Sequence, residues 1–222
     1  MLRCRLFRRS LSSALHASAL IGAGLLTSLP LRAAHAQSAQ RWSVQASALH
    51  VGVFGDAYEG LKAGLGGEVQ LRFTPGVWSF GIGGQASSHG TSGEGFDGQT
   101  VMLQGAFIEP RRVVDIGSSR VAPYLSARLA YLQQTIDFTL SDGVSVLDVS
   151  AEASGAQVNA GGGLLVRLSP RVNLDLGATY GVIRFGDVLV NVPGFGQSNV
   201  AGTSGTGQNL VLRAGLAIGL GK

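Results

Sequence analysis

"NLVLRAGLAIGLGK", residues 209–222, decides how this 222-residue chain is read. Leu210, Leu212, Ala214, Leu216, Ile218 and Leu220 alternate with Val211, Arg213, Gly215, Ala217 and Gly219. A period of two describes a strand whose successive side chains point to opposite faces, here one greasy and one small or polar. The greasy face must be covered by a protein core or by lipid, and the rest of the chain has to say which.

The opposite end bears on this first. Arg3, Arg5, Arg8 and Arg9 precede a long run without charge, rich in Leu, Ala, Gly and Ser, that closes on "AAHAQ". A basic head, an apolar middle and small residues Ala34 and Ala36 before Gln37 make the layout of a secretory signal peptide, so 1–36 is expected to be cleaved and 37–222 to form one domain. Cleavage removes five arginines and turns a formal charge of +4 into about −1, which ends any nucleic-acid reading based on net charge. The single cysteine, Cys4, leaves with the signal, so neither a disulfide nor a cysteine metal site is available. No calcium-loop spacing and no phosphate-binding glycine motif occur, and no cofactor or metal is expected.

Glycine is abundant, with 34 residues, and charged residues are only 14%, yet 37–222 has no apolar run of 18 or more. A transmembrane helix is therefore excluded there. The apolar residues are dispersed in alternation over eight segments. Trp42, Val44, Ala46 and Ala48 mark the first; Leu65, Val69, Leu71 and Phe73 the second; Trp78, Phe80 and Ile82 the third; Val101, Leu103 and Phe107 the fourth. Leu125, Ala127, Leu129 and Tyr131 follow, then Val158, Ala160, Leu164, Val166 and Leu168, then Val172, Leu174, Leu176, Ala178, Tyr180 and Val182; the opening stretch is the eighth. The connections alternate in length. "TPGV" (74–77) and "SPR" (169–171) are tight, whereas 135–155 and 186–208 are long and polar. An even strand number with short turns at one end and long loops at the other predicts an all-β, eight-stranded antiparallel transmembrane barrel. Trp42, Phe73 and Trp78 are placed at the periplasmic rim and Tyr131, Tyr180 and Phe185 nearer the outer rim, as interfacial girdles.

The chain resembles the small eight-stranded outer-membrane barrels, of the OmpX type and of the transmembrane domain of outer membrane protein A. The resemblance implies an outer-membrane location, contacts with lipid and lipopolysaccharide, and a monomer. In those families the last strand carries an assembly signal of the form polar-x-Gly-x-x-hydrophobic-x-hydrophobic, matched here by Arg213, Gly215, Ile218 and Leu220. The resemblance thus implies insertion by the barrel-assembly machinery. The chain departs from the pattern in its aliphatic hydrophobic positions and in Lys222, where the usual residue is Phe. A peptidoglycan-binding domain, which follows some such barrels, is not expected.

Eight strands enclose an interior just wide enough to be filled by side chains. Glu68, Arg72, Arg128, Arg167, Asp175 and Arg213, with Gln70, Gln104 and Asn159, fall on the inward face. They are expected to form an ion-pair plug, with Arg167 and Asp175 as diagonal neighbours and loss of Glu68 costing on the order of 3–5 kcal/mol. Nine acids lie in the expected outer loops: Asp56, Glu59, Glu94, Asp97, Asp137, Asp142, Asp148, Glu152 and Asp187. Arg111 and Arg112 are expected on the periplasmic side. The reading that follows is a structural or surface-interaction protein, not an enzyme, whose acidic loops meet an unidentified extracellular ligand. One alternative is a narrow anion-favouring channel or small-molecule porin, from a lumen richer in arginine than in acid. The other is a lipid-modifying enzyme, drawn on Ser87, Ser88, His89 and Asp97.

Overall fold

The computed structural model describes residues 40–92, 99–141, 146–192, 196–200 and 203–221, with the backbone alone for 138–141 and 146–148. The expected signal segment therefore lies outside the described residues. Strands β1 (Trp42–Phe54), β2 (Gly64–Phe73), β3 (Trp78–Gly90), β4 (Thr100–Val113), β5 (Val121–Ser141), β6 (Val146–Arg167) and β7 (Val172–Phe185) pair in sequence. After the short β8 (Val188–Val192) and β9 (Gly196–Val200), the last strand β10 (Thr206–Leu220) returns between β7 and β1. Its pairing with β1, from Trp42 opposite Leu220 to Phe54 opposite Gln208, closes the barrel. Closure leaves none of these eight strands with an open edge inside the lipid, which no spanning sheet tolerates.

The register defines the barrel's geometry. Paired residues lead from Val44 to Leu71, Ile82, Ile108, Leu129, Val158, Val182 and Gln208, and back to β1 at Phe54, ten residues further along. Eight strands with that stagger tilt by roughly 40° and enclose a cylinder of backbone radius about 8 Å. At this tilt the apolar row of β10, residues 210–220, spans about 25 Å along the axis, the height of an outer-membrane apolar band. The row just traced is almost wholly aliphatic and outward, with Ile82 and Val158 around 60% exposed. In water that would be a defect; in lipid it is the solvated surface.

At the rims, Trp42 and Phe73 pack at 4.8 Å between ring centroids, Trp78 stacks with Phe80, and the Arg112 guanidinium lies over Trp78. Tyr131 and Tyr180 face outward at the other end, the Tyr180 hydroxyl meeting Gln208 Oε1. Phe185 departs from its expected place: it points inward, edge-on to Tyr58.

Two segments expected as loops contain strand among the described residues. β5 and β6 stay paired from Val121–Val166 up to Ser141–Val146, well past Ile136, where β4 stops pairing with β5. The polar residues of 135–155 look like a loop in sequence because nothing there needs to face lipid. The stretch 186–208 holds the β8–β9 hairpin, which docks on β6 at 150–152. A sheet of four strands thus rises beyond the outer girdle.

The fourth segment is inverted relative to expectation. Val101, Leu103 and Phe107 are buried in the lumen, and Met102, Gln104, Ala106 and Ile108 face outward. The strand is apolar on both faces because the upper lumen is itself apolar, so alternation alone could not choose between its two registers. The inversion also carries Glu109 and Arg111 inside.

Candidate functional site: a filled lumen

Inward side chains divide into layers. Nearest the outer mouth, Tyr58, from a single 3-10 turn (Asp56–Tyr58), drops into a cluster with Val101, Leu103, Phe107, Ala130, Leu132, Ile183 and Phe185. Burial pushes the Tyr58 hydroxyl up to about 12, so it stays a neutral phenol. This layer is an apolar seal. Beneath it, Gln157 Nε2 donates to Asn159 Oδ1 and Asn159 Nδ2 donates to Asn209 Oδ1, at 2.6 and 2.7 Å.

The middle of the barrel is ionic. Glu109, fully buried, takes Arg111 Nε at 2.5 Å, Arg213 Nη1 at 2.9 Å and Arg128, with Arg72 at 3.9 Å. Glu68 is ion-paired with Arg128 Nη1 at 2.7 Å and accepts a hydrogen bond from Arg213 Nη1 at 3.2 Å. Asp175 accepts Arg111 Nη1 at 2.7 Å, Gln45 Nε2 at 2.6 Å and the Tyr124 hydroxyl at 2.6 Å. Tyr124 in turn accepts from Arg213 Nη2 at 2.9 Å, joining the groups into one network. Carboxylates shared among several guanidinium forks offset the cost of burying so many charges. Glycines make the room. A Cβ at Gly163 or Gly177 would stand 2.5 Å from the Tyr124 hydroxyl, and one at Gly81 2.6 Å from Arg72. Arg128 lies over the Phe107 ring, 3.9 Å from its centroid, tying the ionic layer to the seal.

Of the six lumen residues expected from sequence, Glu68, Arg72, Arg128, Asp175 and Arg213 meet in this network. Arg167 does not occupy the place expected for it. It lies half-buried at the periplasmic rim, opposite Asn173 and beside Arg120, Ser169 and Pro170, while Asp175 is bridged by Arg111 and Arg213. A three-residue turn leaves Arg167 at the open end, where a long side chain reaches water. Gln104 faces outward, as above. Arg111 is displaced the other way, from the expected periplasmic side to the centre, and Glu109, the hub, was not anticipated. Its signal was available: Glu109 and Arg111 are spaced by two, so either both face the lumen or both face lipid, and lipid forbids the second.

Gly215, Ile218 and Leu220, expected to belong to an assembly signal, occupy the periplasmic half of β10, with Ile218 and Leu220 outward and Gly215 against Ser47. Ser87 and His89 do meet: Ser87 Oγ and His89 Nε2 are 3.0 Å apart, and His89 Nδ1 faces the Lys62 carbonyl at 3.0 Å. The carbonyl requires the proton on Nδ1, so Ser87 donates to Nε2. Both side chains are buried, His89 at 0% and Ser87 at 5% exposure. Asp97 lies outside the described residues. A fluorophosphonate probe is expected to leave the folded barrel unlabelled, as read by mass spectrometry; a Ser87 adduct would show that the hydroxyl is reachable. Among the described residues no group of three or more His, Cys, Asp and Glu side chains could hold a metal ion.

No family profile and no curated protein sequence matches the chain. Solved structures do. Neisserial surface protein A superposes with a TM-score of 0.55 at 20% identity, over 83% of this chain and all of that one. A major outer membrane protein of Thermus thermophilus gives 0.54 at 14% identity, over 81% of this chain and 98% of that one. At these identities the likeness is one of fold.

Proposed function

We propose that this small eight-stranded outer-membrane β-barrel acts at the cell surface, through the sheet raised above its outer rim, and not by moving solutes through its lumen. The observation that carries the reading is the division of labour along the barrel axis. The lumen is blocked twice, by the apolar layer around Tyr58 and by the ion pairs around Glu109. Above it, β5 and β6 rise past Ile136 and carry the β8–β9 hairpin, so ordered surface is built where neither membrane nor lumen needs it. Asp137, Glu152 and Asp187 lie on or beside that sheet, and Asp56 and Glu59 at the neighbouring loop. Acidic surface at this height suits basic partners, or divalent cations bridging lipopolysaccharide phosphates. The remaining partner expectations, insertion by the assembly machinery and a monomeric state, belong to the same reading.

Shortening the β5–β6 hairpin by removing 138–148, together with the β8–β9 hairpin, tests it. The variant is expected to insert and to keep heat-dependent gel mobility, while cells displaying it lose binding to a surface that the full barrel recognises. Unchanged binding would remove the raised sheet from the function. Conduction is tested separately. Planar bilayers containing the purified barrel are expected to show no discrete conductance steps; anion-selective steps would favour the channel reading instead.

A further inference from the structure

The ionic layer does not balance. Among the described residues it holds four buried arginines, Arg72, Arg111, Arg128 and Arg213, and three buried carboxylates, Glu68, Glu109 and Asp175. Arg128, Arg111 and Arg213 each have a carboxylate oxygen within 3 Å. Arg72 differs. Its bonds go to the neutral acceptors Gln70 Oε1, Ser79 Oγ and backbone carbonyls, and its carboxylate approach, to Glu109 Oε1, is 3.9 Å. One positive charge is left over in a place where an uncompensated charge is costly.

A cavity sits beside it. On the periplasmic side of the ion pairs, a space of about 30 Å³ is lined by Arg72, Arg111, Ser43, Thr74, Ser79 and Asn173. Arg111 is 2% exposed, and its Nη2 has no hydrogen-bond partner although Nε and Nη1 are engaged. Asn173, 5% exposed, likewise has an unpartnered amide oxygen; turning that amide over would offer an N–H donor in its place. Ser79 and Thr74 share a hydroxyl bond of 2.8 Å, so one hydroxyl hydrogen remains to be given away. Val113, Leu165 and Ala217 complete the wall with Gln45, so its charged groups are both cationic and none is a carboxylate. By size it accepts about two waters or one halide.

We propose that this vestibule binds one small monovalent anion, chloride in the cell, which takes the spare guanidinium N–H of Arg111 and neutralises the excess charge of Arg72. The anion enters from the periplasm and goes no further, because the ion pairs and the apolar seal close the way above it. It is a structural counter-ion, and its binding stabilises the folded barrel.

The test is thermal unfolding of the full barrel refolded in detergent micelles, in sodium chloride, bromide or gluconate at equal ionic strength. Gluconate is too large for the cavity. Chloride and bromide are expected to raise the midpoint by roughly 5–10 °C over gluconate at a hundredfold excess over the dissociation constant. Asn173→Asp places a fixed carboxylate at the same wall and is expected to abolish the difference. Crystals grown in bromide are expected to show an anomalous peak beside Arg111 Nη2. Equal midpoints in halide and gluconate would overturn the proposal. So would undiminished halide dependence in a folded Asn173→Asp barrel, or bromide crystals in which only water stands at that position. The wild-type titration and the diffraction decide the matter if the variant does not refold.

Discussion

Replacing Glu109 by alanine is expected to cost the barrel about 3–5 kcal/mol, the largest loss of any single lumen substitution. The reason is the number of cations that would lose their partner. Arg111, Arg128 and Arg213 all bridge Glu109, and Arg72 stands next to it, so its loss strands several buried cations at once. Glu68→Ala is expected to cost roughly half as much, because Arg128 and Arg213 keep Glu109 when Glu68 is gone. The ranking differs from what Glu68 alone suggests in the sequence, where no second acid is placed beside those arginines. Urea unfolding of the two variants, read by tryptophan fluorescence or heat-modified gel mobility, checks both the size and the order. A Glu109→Ala barrel as stable as the wild type would mean that the arginines find water or one another's partners, and that the network is ornamental.

The second large effect lies on the opposite face of the same strand. Ile108→Arg is expected to destabilise the inserted barrel by about 2–4 kcal/mol, because it sets a guanidinium against lipid near the middle of the apolar band. Ile108 is about half exposed and pairs with Ile82 and Leu129, both outward. The measurement also decides the inversion of β4. If the strand lay the other way round, residue 108 would face a polar lumen and an arginine there would be mild, whereas Phe107→Arg would be severe for the same reason. As the strand stands, Phe107→Arg would instead crowd another guanidinium into the region where Arg128 already covers the ring. Folding into liposomes, with the equilibrium followed in denaturant, separates the two registers.

Most of the barrel was legible in the chain because lipid imposes a rule with few exceptions. An outward position must be apolar, an inward one in the ionic layer must be small or polar, and strands alternate between them. For β2, β3, β5, β6, β7 and β10 the two faces differ enough in residues such as Leu71 and Arg72, or Leu212 and Arg213, that period and parity give the orientation. For β4 they do not. Val101, Leu103 and Phe107 are as apolar as Ile108, because they fill the upper lumen. The same ambiguity hid Phe185, which reads as a girdle aromatic until Tyr58 is seen against it.

The chain by itself determined the number of spanning strands, the direction of closure from the last strand to the first, the tight turns at 74–77 and 169–171, and the inward side of five charged residues. These depend on local alternation and on the lengths between segments, and both are written in the order of the residues. Only the tertiary structure decided that Glu109 is the hub, that Arg111 belongs to the centre and Arg167 to the rim, and that strands within 135–155 and 186–208 build a raised sheet. Those facts depend on the ten-residue stagger around the barrel. It brings Glu109 of β4 against Arg213 of β10 across the lumen, 104 residues apart in sequence. Depth in a tilted barrel is a sum over every strand pairing between two residues, and no single stretch of the chain contains that sum.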